Sequence, residues 1–160
     1  LRITINSLSV NTFGNSKNQP IVFIHGFPFD YSMWENQIEL LKENYFCVAY
    51  DVRGLGNSYV GDGQYTMEFY VDDLFSVINE LKLSKPILCG LSMGGYIALR
   101  AVERQQSTFA GLILCDTKSE PDDNTAKLKR AVGINQVNME GLINFVDAFV
   151  TNCFAEETTR

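Results

Sequence analysis

The sequence predicts an α/β chain: a mostly parallel sheet with helices on both faces over residues 1–118, followed over 119–160 by the start of a helical segment. Three observations carry this. Short apolar runs of strand length recur, patterns of helical period separate them, and after Asp116 no further strand-like run occurs.

The elements follow in order. Residues 2–9 alternate apolar and polar positions (Ile3, Ile5), as a half-buried strand does, and residues 10–13 are expected to return beside it as a second edge strand. Ile21-Val22-Phe23-Ile24 is a continuous apolar run, which suits a strand covered on both faces; 46–50, 86–89 and 109–115 share this character. Ser32 with Glu35 three residues later reads as a capping box, with Trp34, Ile38 and Leu41 on one face of the helix it starts. Met67, Tyr70, Val71, Leu74, Ile78 and Leu81 form a second amphipathic stripe, and a third helix is expected over 93–104. Residues 120–125 are polar and carry Pro121, as a linker would. Two helices are then expected over 125–135 and 139–150, parted by Gly133 and Asn138.

Composition narrows the function classes. Of 160 residues, 46% are hydrophobic and 20% charged, values of an ordinary folded domain. A net charge of −6 disfavours binding to a phosphate backbone, so no nucleic-acid partner is expected. No apolar run is long enough to span a bilayer, and no signal peptide is visible, so a cytoplasmic protein without a membrane partner is expected. Four cysteines lack any Cys-x-x-Cys spacing. Cys47, Cys89 and Cys115 lie in apolar runs and read as buried reduced thiols. With His25 the one histidine, no metal site is expected.

The residue pattern that carries chemistry is Gly90-Leu91-Ser92-Met93-Gly94, set between the strand at 86–89 and the helix that begins near Met93. A sharp strand-to-helix turn forces its serine into a strained conformation that only small flanking residues permit, and lifts the hydroxyl above the sheet edge. Ser92 is therefore read as a nucleophile, against the alternative of a serine that caps a helix. An oxyanion hole needs two main-chain N–H groups aimed at one point. Met93 should supply one, and Phe27, in the His25-Gly26-Phe27-Pro28 turn after the strand at 21–24, the other. His25 itself is read as bracing that turn rather than as the general base. Asp51-Val52-Arg53-Gly54-Leu55-Gly56-Asn57-Ser58 lacks the third glycine of a phosphate cradle and reads as a tight structural loop with an Asp/Arg pair. Asp116, at a strand end, is either the acid that orients a catalytic histidine or a loop residue. Asp72 and Asp73 read as solvated or paired. Phe29, Trp34 and Tyr96 are candidates to line a substrate pocket, with core packing as the alternative.

In this order and spacing, the His25-Gly26-Phe27-Pro28 turn, the Trp34 helix, Asp51-x-Arg53-Gly54-x-Gly56-x-Ser58 and Gly90-Leu91-Ser92-Met93-Gly94-Gly95 resemble the α/β-hydrolase family. The resemblance covers residues 1–117 and is strongest to its carboxylesterase and 3-oxoadipate enol-lactonase-like branch. It implies acyl transfer from a small-molecule ester or lactone to water, without a cofactor. Serine at the nucleophile position argues against haloalkane dehalogenases. The family's triad runs serine, acid, histidine in chain order. No histidine follows Ser92 here, so the chain is expected to be the N-terminal part of a hydrolase, ending after a sixth strand and the start of a helical cap. About 100 further residues would complete it. Alone it is expected to be nearly inactive. The alternatives are a non-catalytic binding protein on the same scaffold, or one half of a hydrolase completed by a C-terminal segment or a second chain.

Overall fold

The chain opens with a hairpin, β1 (Arg2–Ile5) and β2 (Leu8–Phe13), paired antiparallel with Ile5 opposite Leu8. The alternating stretch 2–9 is thus two strands rather than one. Asn6 and Ser7 between them both take positive φ (47° and 64°), the backbone of a two-residue turn whose twist matches that of the strands. Asparagine tolerates that region, but the alternation of apolar residues runs through the turn and hides it. β1, not β2, is the edge strand.

The structure, a computed structural model, describes residues 1–63, 65–151 and 153–154. Two compact units are present, Leu1–Ser119 and Glu120–Arg160. In the first, β3 (Pro20–Ile24), β4 (Phe46–Tyr50), β5 (Ile87–Leu91) and β6 (Gly111–Cys115) join the hairpin. Among the described residues the sheet has six strands in the order β1-β2-β4-β3-β5-β6. Strand β2 meets β4 antiparallel, while β4, β3, β5 and β6 are mutually parallel.

Both faces of the central strands are covered, which is why their sequences are unbroken apolar runs. Val22, Ile24, Val48, Tyr50 and Leu88 point to one face and pack against Val71, Leu74, Val77 and Ile78 of α2 (Met67–Glu80) and Ile97, Ala98 and Ala101 of α3 (Met93–Gln105). Ile21, Phe23, Cys47, Ala49 and Cys89 point to the other, against Trp34 and Ile38. Full burial of each valine, leucine or isoleucine side chain among these contributes about 1.5–3 kcal/mol. Helices therefore lie on both faces, as the alternation of runs predicts.

Before α1 (Glu35–Leu41) the chain makes a 3₁₀ turn, Tyr31–Trp34. Its cap is Asp30, whose Oδ1 accepts the Ser32 N–H at 2.8 Å and the Ser32 hydroxyl at 2.5 Å. The expected Ser32/Glu35 capping box does not form, because the chain begins to turn two residues earlier than the helical period shows.

β6 pairs with β5 alone among the described residues, and Ile113 and Leu114 are exposed. Cys47 and Cys89 are buried as expected. Cys115 is only half-buried, because β6 has no described strand on its other side. In the second unit α4 (Asn124–Glu140) runs straight through Gly133 and Asn138, and the break before α5 (Leu142–Thr151) falls at Gly141, φ 88°. A glycine inside a helix costs only about 1 kcal/mol relative to alanine, so Gly133 is tolerated; Gly141 takes a backbone that other residues avoid. Residues 155–160 of the expected helical segment lie outside the described residues.

Candidate active site

Strand β5 ends at Leu91, α3 begins at Met93, and Ser92 is the single residue that joins them. Its φ of 49° and ψ of −112° are strained for a residue with a side chain. The glycines on either side explain how the turn closes. A Cβ on Gly90 would fall inside the contact radius of the Gly94 carbonyl, and one on Gly94 would overlap the Ile24 carbonyl oxygen. The turn thus packs main chain against main chain, seated on the end of β3.

Each main-chain group of Ser92 is held. Its N–H donates to the Cys115 carbonyl at 3.0 Å, and its C=O accepts from Gly95 N at 2.9 Å, Tyr96 N at 3.2 Å and the Thr117 hydroxyl at 2.8 Å. The side chain is half-buried and makes no capping hydrogen bond to α3. That removes the helix-cap reading of this serine. Behind it, the first N–H groups of α3 have no intrahelical acceptor and the helix dipole favours negative charge. Met93 contributes the first of those groups.

The turn after β3 runs beside Ser92: a Cβ on Gly26 would stand 3.3 Å from the Ser92 Cβ. Phe27 follows, exposed, with a cis peptide to Pro28. His25 is fully buried. Its Nε2 accepts the Val52 N–H at 2.8 Å, which leaves the proton on Nδ1 to donate to the Gly26 carbonyl at 3.0 Å. With both ring nitrogens occupied the imidazole is not positioned to take a proton from Ser92. Burial holds its pKa below the usual value, against the partly offsetting pull of the Gly26 carbonyl, Asp51 and Asp30.

Asp51 is also fully buried, and its carboxylate accepts Tyr31 N at 2.9 Å and Asn57 N at 2.8 Å. Together His25 and Asp51 tie the loops after β3 and β4 to each other. The expected Asp/Arg pair within 51–58 does not form. Arg53 instead makes a bidentate pair with Asp73 of α2, at 2.8 and 2.7 Å, and lies over the Phe69 ring at 5.2 Å. Asp51 is held by the Tyr31 and Asn57 amides, and Asp73, 1% exposed, has Arg53 as its counter-charge. Asp72, expected as solvated or paired, is exposed and bonded to Arg104 at 2.7 Å.

The candidate pocket residues separate. Trp34 is buried and packs on Phe23, ring centroids 5.4 Å apart, so it belongs to the core rather than to a surface open to substrate. Phe29 lines an open cleft of about 370 Å³ with Pro28, Asp30, Ser32, Met33 and Gly56. Tyr96 is half-buried in the first turn of α3. Asp116 is exposed with φ 39°, one residue beyond the carbonyl that accepts the Ser92 amide. Thr117, which the motif does not signal, is the residue that reaches the Ser92 carbonyl. Among the described residues no group of three or more His, Cys, Asp or Glu is placed to hold a metal ion, and no helix is long and apolar enough to cross a membrane.

Comparison with known proteins gives the same geometry a family context. The pattern of the alpha/beta hydrolase fold matches residues 19–151. The chain is 28% identical over 152 residues to 3-oxoadipate enol-lactonase 2 of Acinetobacter baylyi, covering 92% of this chain and 54% of that one. It superposes on a thermophilic esterase from Thermogutta terrifontis with a TM-score of 0.85 at 36% identity, covering 94% of this chain and 58% of that one. With the enol-lactonase from Burkholderia xenovorans the TM-score is 0.81 at 27% identity, with the same two coverages, 94% and 58%. The chain spans about half the length of the curated enol-lactonases it matches.

Proposed function

The chain belongs to the alpha/beta hydrolase fold family, and on that premise we propose that it is the nucleophile-bearing part of a serine hydrolase of small-molecule esters or lactones. The observation that carries the reading is the state of Ser92: strained, held at both main-chain groups, and with its hydroxyl not spent on capping α3. Similarity to esterases and enol-lactonases supports the substrate class.

In this mechanism Ser92 Oγ attacks the carbonyl carbon of the substrate while its proton passes to a base. The main-chain N–H groups of Phe27 and Met93 hold the tetrahedral oxyanion, whose charge also meets the N-terminus of α3. The C–O bond to the leaving alcohol breaks as the base returns the proton to it, and an acyl group remains on Ser92. Water then attacks that ester, the base again taking and returning one proton, and the carboxylic acid and Ser92 hydroxyl are released. For a lactone the leaving alcohol stays tethered to the acid.

His25 does not serve as that base, because its ring is fully engaged; in this reading the role falls to another histidine of the full-length gene product. Asp116 is the candidate acid beside it, standing next to the Ser92 main chain. Phe29 and Tyr96 are candidate substrate contacts, and α4 and α5 are read as the start of a helical cap. No cofactor enters the scheme. Turnover of p-nitrophenyl acetate by the full-length gene product tests the reading. A burst of nitrophenol stoichiometric with enzyme, lost in Ser92→Ala, is expected; steady turnover that survives Ser92→Ala overturns it. A non-catalytic binding protein is the second reading, favoured by the engagement of both His25 nitrogens. A full reading frame without a second histidine would select it.

A further inference from the structure

We propose that Thr117 is a positioning residue that holds Ser92 in its reactive conformation; the proposal rests on the nucleophile assignment above. Ser92 occupies the position before α3 where a serine ordinarily adopts an extended backbone and turns its hydroxyl onto the helix N–H groups. That capped state is its nearest competitor, and in it the hydroxyl is occupied. At φ 49° and ψ −112° Ser92 is kept out of it.

The restraint comes from the end of β6. The Cys115 carbonyl takes the Ser92 N–H at 3.0 Å, and two residues on the Thr117 hydroxyl donates to the Ser92 carbonyl at 2.8 Å. These two bonds grip the residue from both sides and so fix both of its backbone angles. The α3 amides of Gly95 and Tyr96 also bond that carbonyl, but an ordinary capped helix keeps such bonds and they do not discriminate between the two states. The Thr117 bond comes from outside the helix.

Gly95 shows that the fold makes room for this contact. A Cβ there would stand 2.6 Å from the Thr117 Cβ and Cγ2 and nearer still to its Oγ1. The second glycine of Met93-Gly94-Gly95 therefore serves as the seat of Thr117, whereas Gly94 serves the approach to β3.

The test uses the full-length gene product and a fluorophosphonate probe, with the maximal labelling rate and the half-saturating probe concentration measured separately. Thr117→Val keeps the shape and removes the hydroxyl. It is expected to lower the maximal labelling rate about ten- to hundredfold while half-saturation changes by less than about twofold, and Thr117→Ser is expected to restore the rate to within about threefold. Wild-type labelling in Thr117→Val overturns the proposal, and so does a loss that Thr117→Ser fails to rescue. Should Thr117→Val not fold, Gly95→Ala, which dislodges the Thr117 side chain, is expected to slow labelling likewise, and an unchanged rate there overturns the proposal. Labelling that survives Ser92→Ala removes the nucleophile assignment itself. Labelling that needs Ser92 and ignores Thr117→Val removes only the role of Thr117.

Discussion

The Nε2 atom of His25 accepts the main-chain N–H of Val52 at 2.8 Å, which ties the end of β3 to the end of β4 in a fully buried setting. An acceptor at Nε2 must be unprotonated, so this bond exists only in the neutral ring. Burial accordingly lowers the His25 pKa from its usual value near 6.5. As pH falls below 6.5 the unfolded chain binds a proton that the folded chain still refuses. The contribution of His25 to stability is thus complete above that value and is lost as pH falls through the folded-state pKa. Urea midpoints measured between about pH 5 and pH 8 are expected to drop on the acid side for the wild type. His25→Leu is expected to be less stable by about 1–3 kcal/mol at the upper end, from the unpaired Val52 N–H, and to show a shallower acid drop. Equal slopes in the two proteins would contradict this account.

The Arg53–Asp73 pair makes a second prediction. Asp73 is buried in the face of α2, and Arg53 donates a hydrogen bond to each of its carboxylate oxygens. Arg53→Met strands that charge and is expected to cost about 3–5 kcal/mol, while Arg53→Met with Asp73→Leu recovers most of the loss. Denaturant unfolding of the two single variants and the double variant measures the coupling. Additive losses would show that the two side chains act independently.

Gly94 and the main chain of β3 make a third. The atom in the way of a Cβ is the Ile24 carbonyl oxygen, which cannot rotate aside as a side chain can. Gly94→Ala is expected to destabilise the protein by about 3 kcal/mol or more, at the upper end of overpacking costs. A thermal midpoint equal to that of the wild type would show that β3 and α3 have room to part.

The isolated 160 residues make a fourth. A serine without a positioned base retains only what binding and the oxyanion hole supply, about 10⁶ below a complete triad in a related chemistry. Hydrolysis of p-nitrophenyl acetate by these residues alone is expected to lie barely above buffer. Robust turnover that His25→Ala abolishes would show that this histidine, against its geometry, serves as the base.

How much of this was legible in the sequence depends on where the determining partner lies. β3 and β4 bury both faces, so their runs stand out without any knowledge of neighbours. Gly90, Ser92 and Gly94 are also legible, because a tight strand-to-helix turn has a local residue requirement. The Asn6-Ser7 turn was hidden, since apolar alternation continues across it. Asp73 gives a weak signal, a carboxylate beside an apolar stripe, but its partner lies 20 residues away on the loop after β4. Arg53 therefore read as a partner of nearby Asp51. Thr117 was invisible for the same reason in stronger form: its role depends on β5 and β6 lying side by side in register, with Leu91 opposite Cys115. Gly133 and Gly141 look alike in sequence, and only the backbone each adopts separates a tolerated glycine from a break.

The most direct test of the central claim is mass spectrometry of the full-length gene product after exposure to a fluorophosphonate, in which a serine oxygen displaces fluoride from phosphorus. One adduct per chain is expected, on the peptide that carries Ser92, and none on Ser92→Ala. An adduct on another residue, or one that persists in Ser92→Ala, would contradict the assignment of Ser92 as the nucleophile.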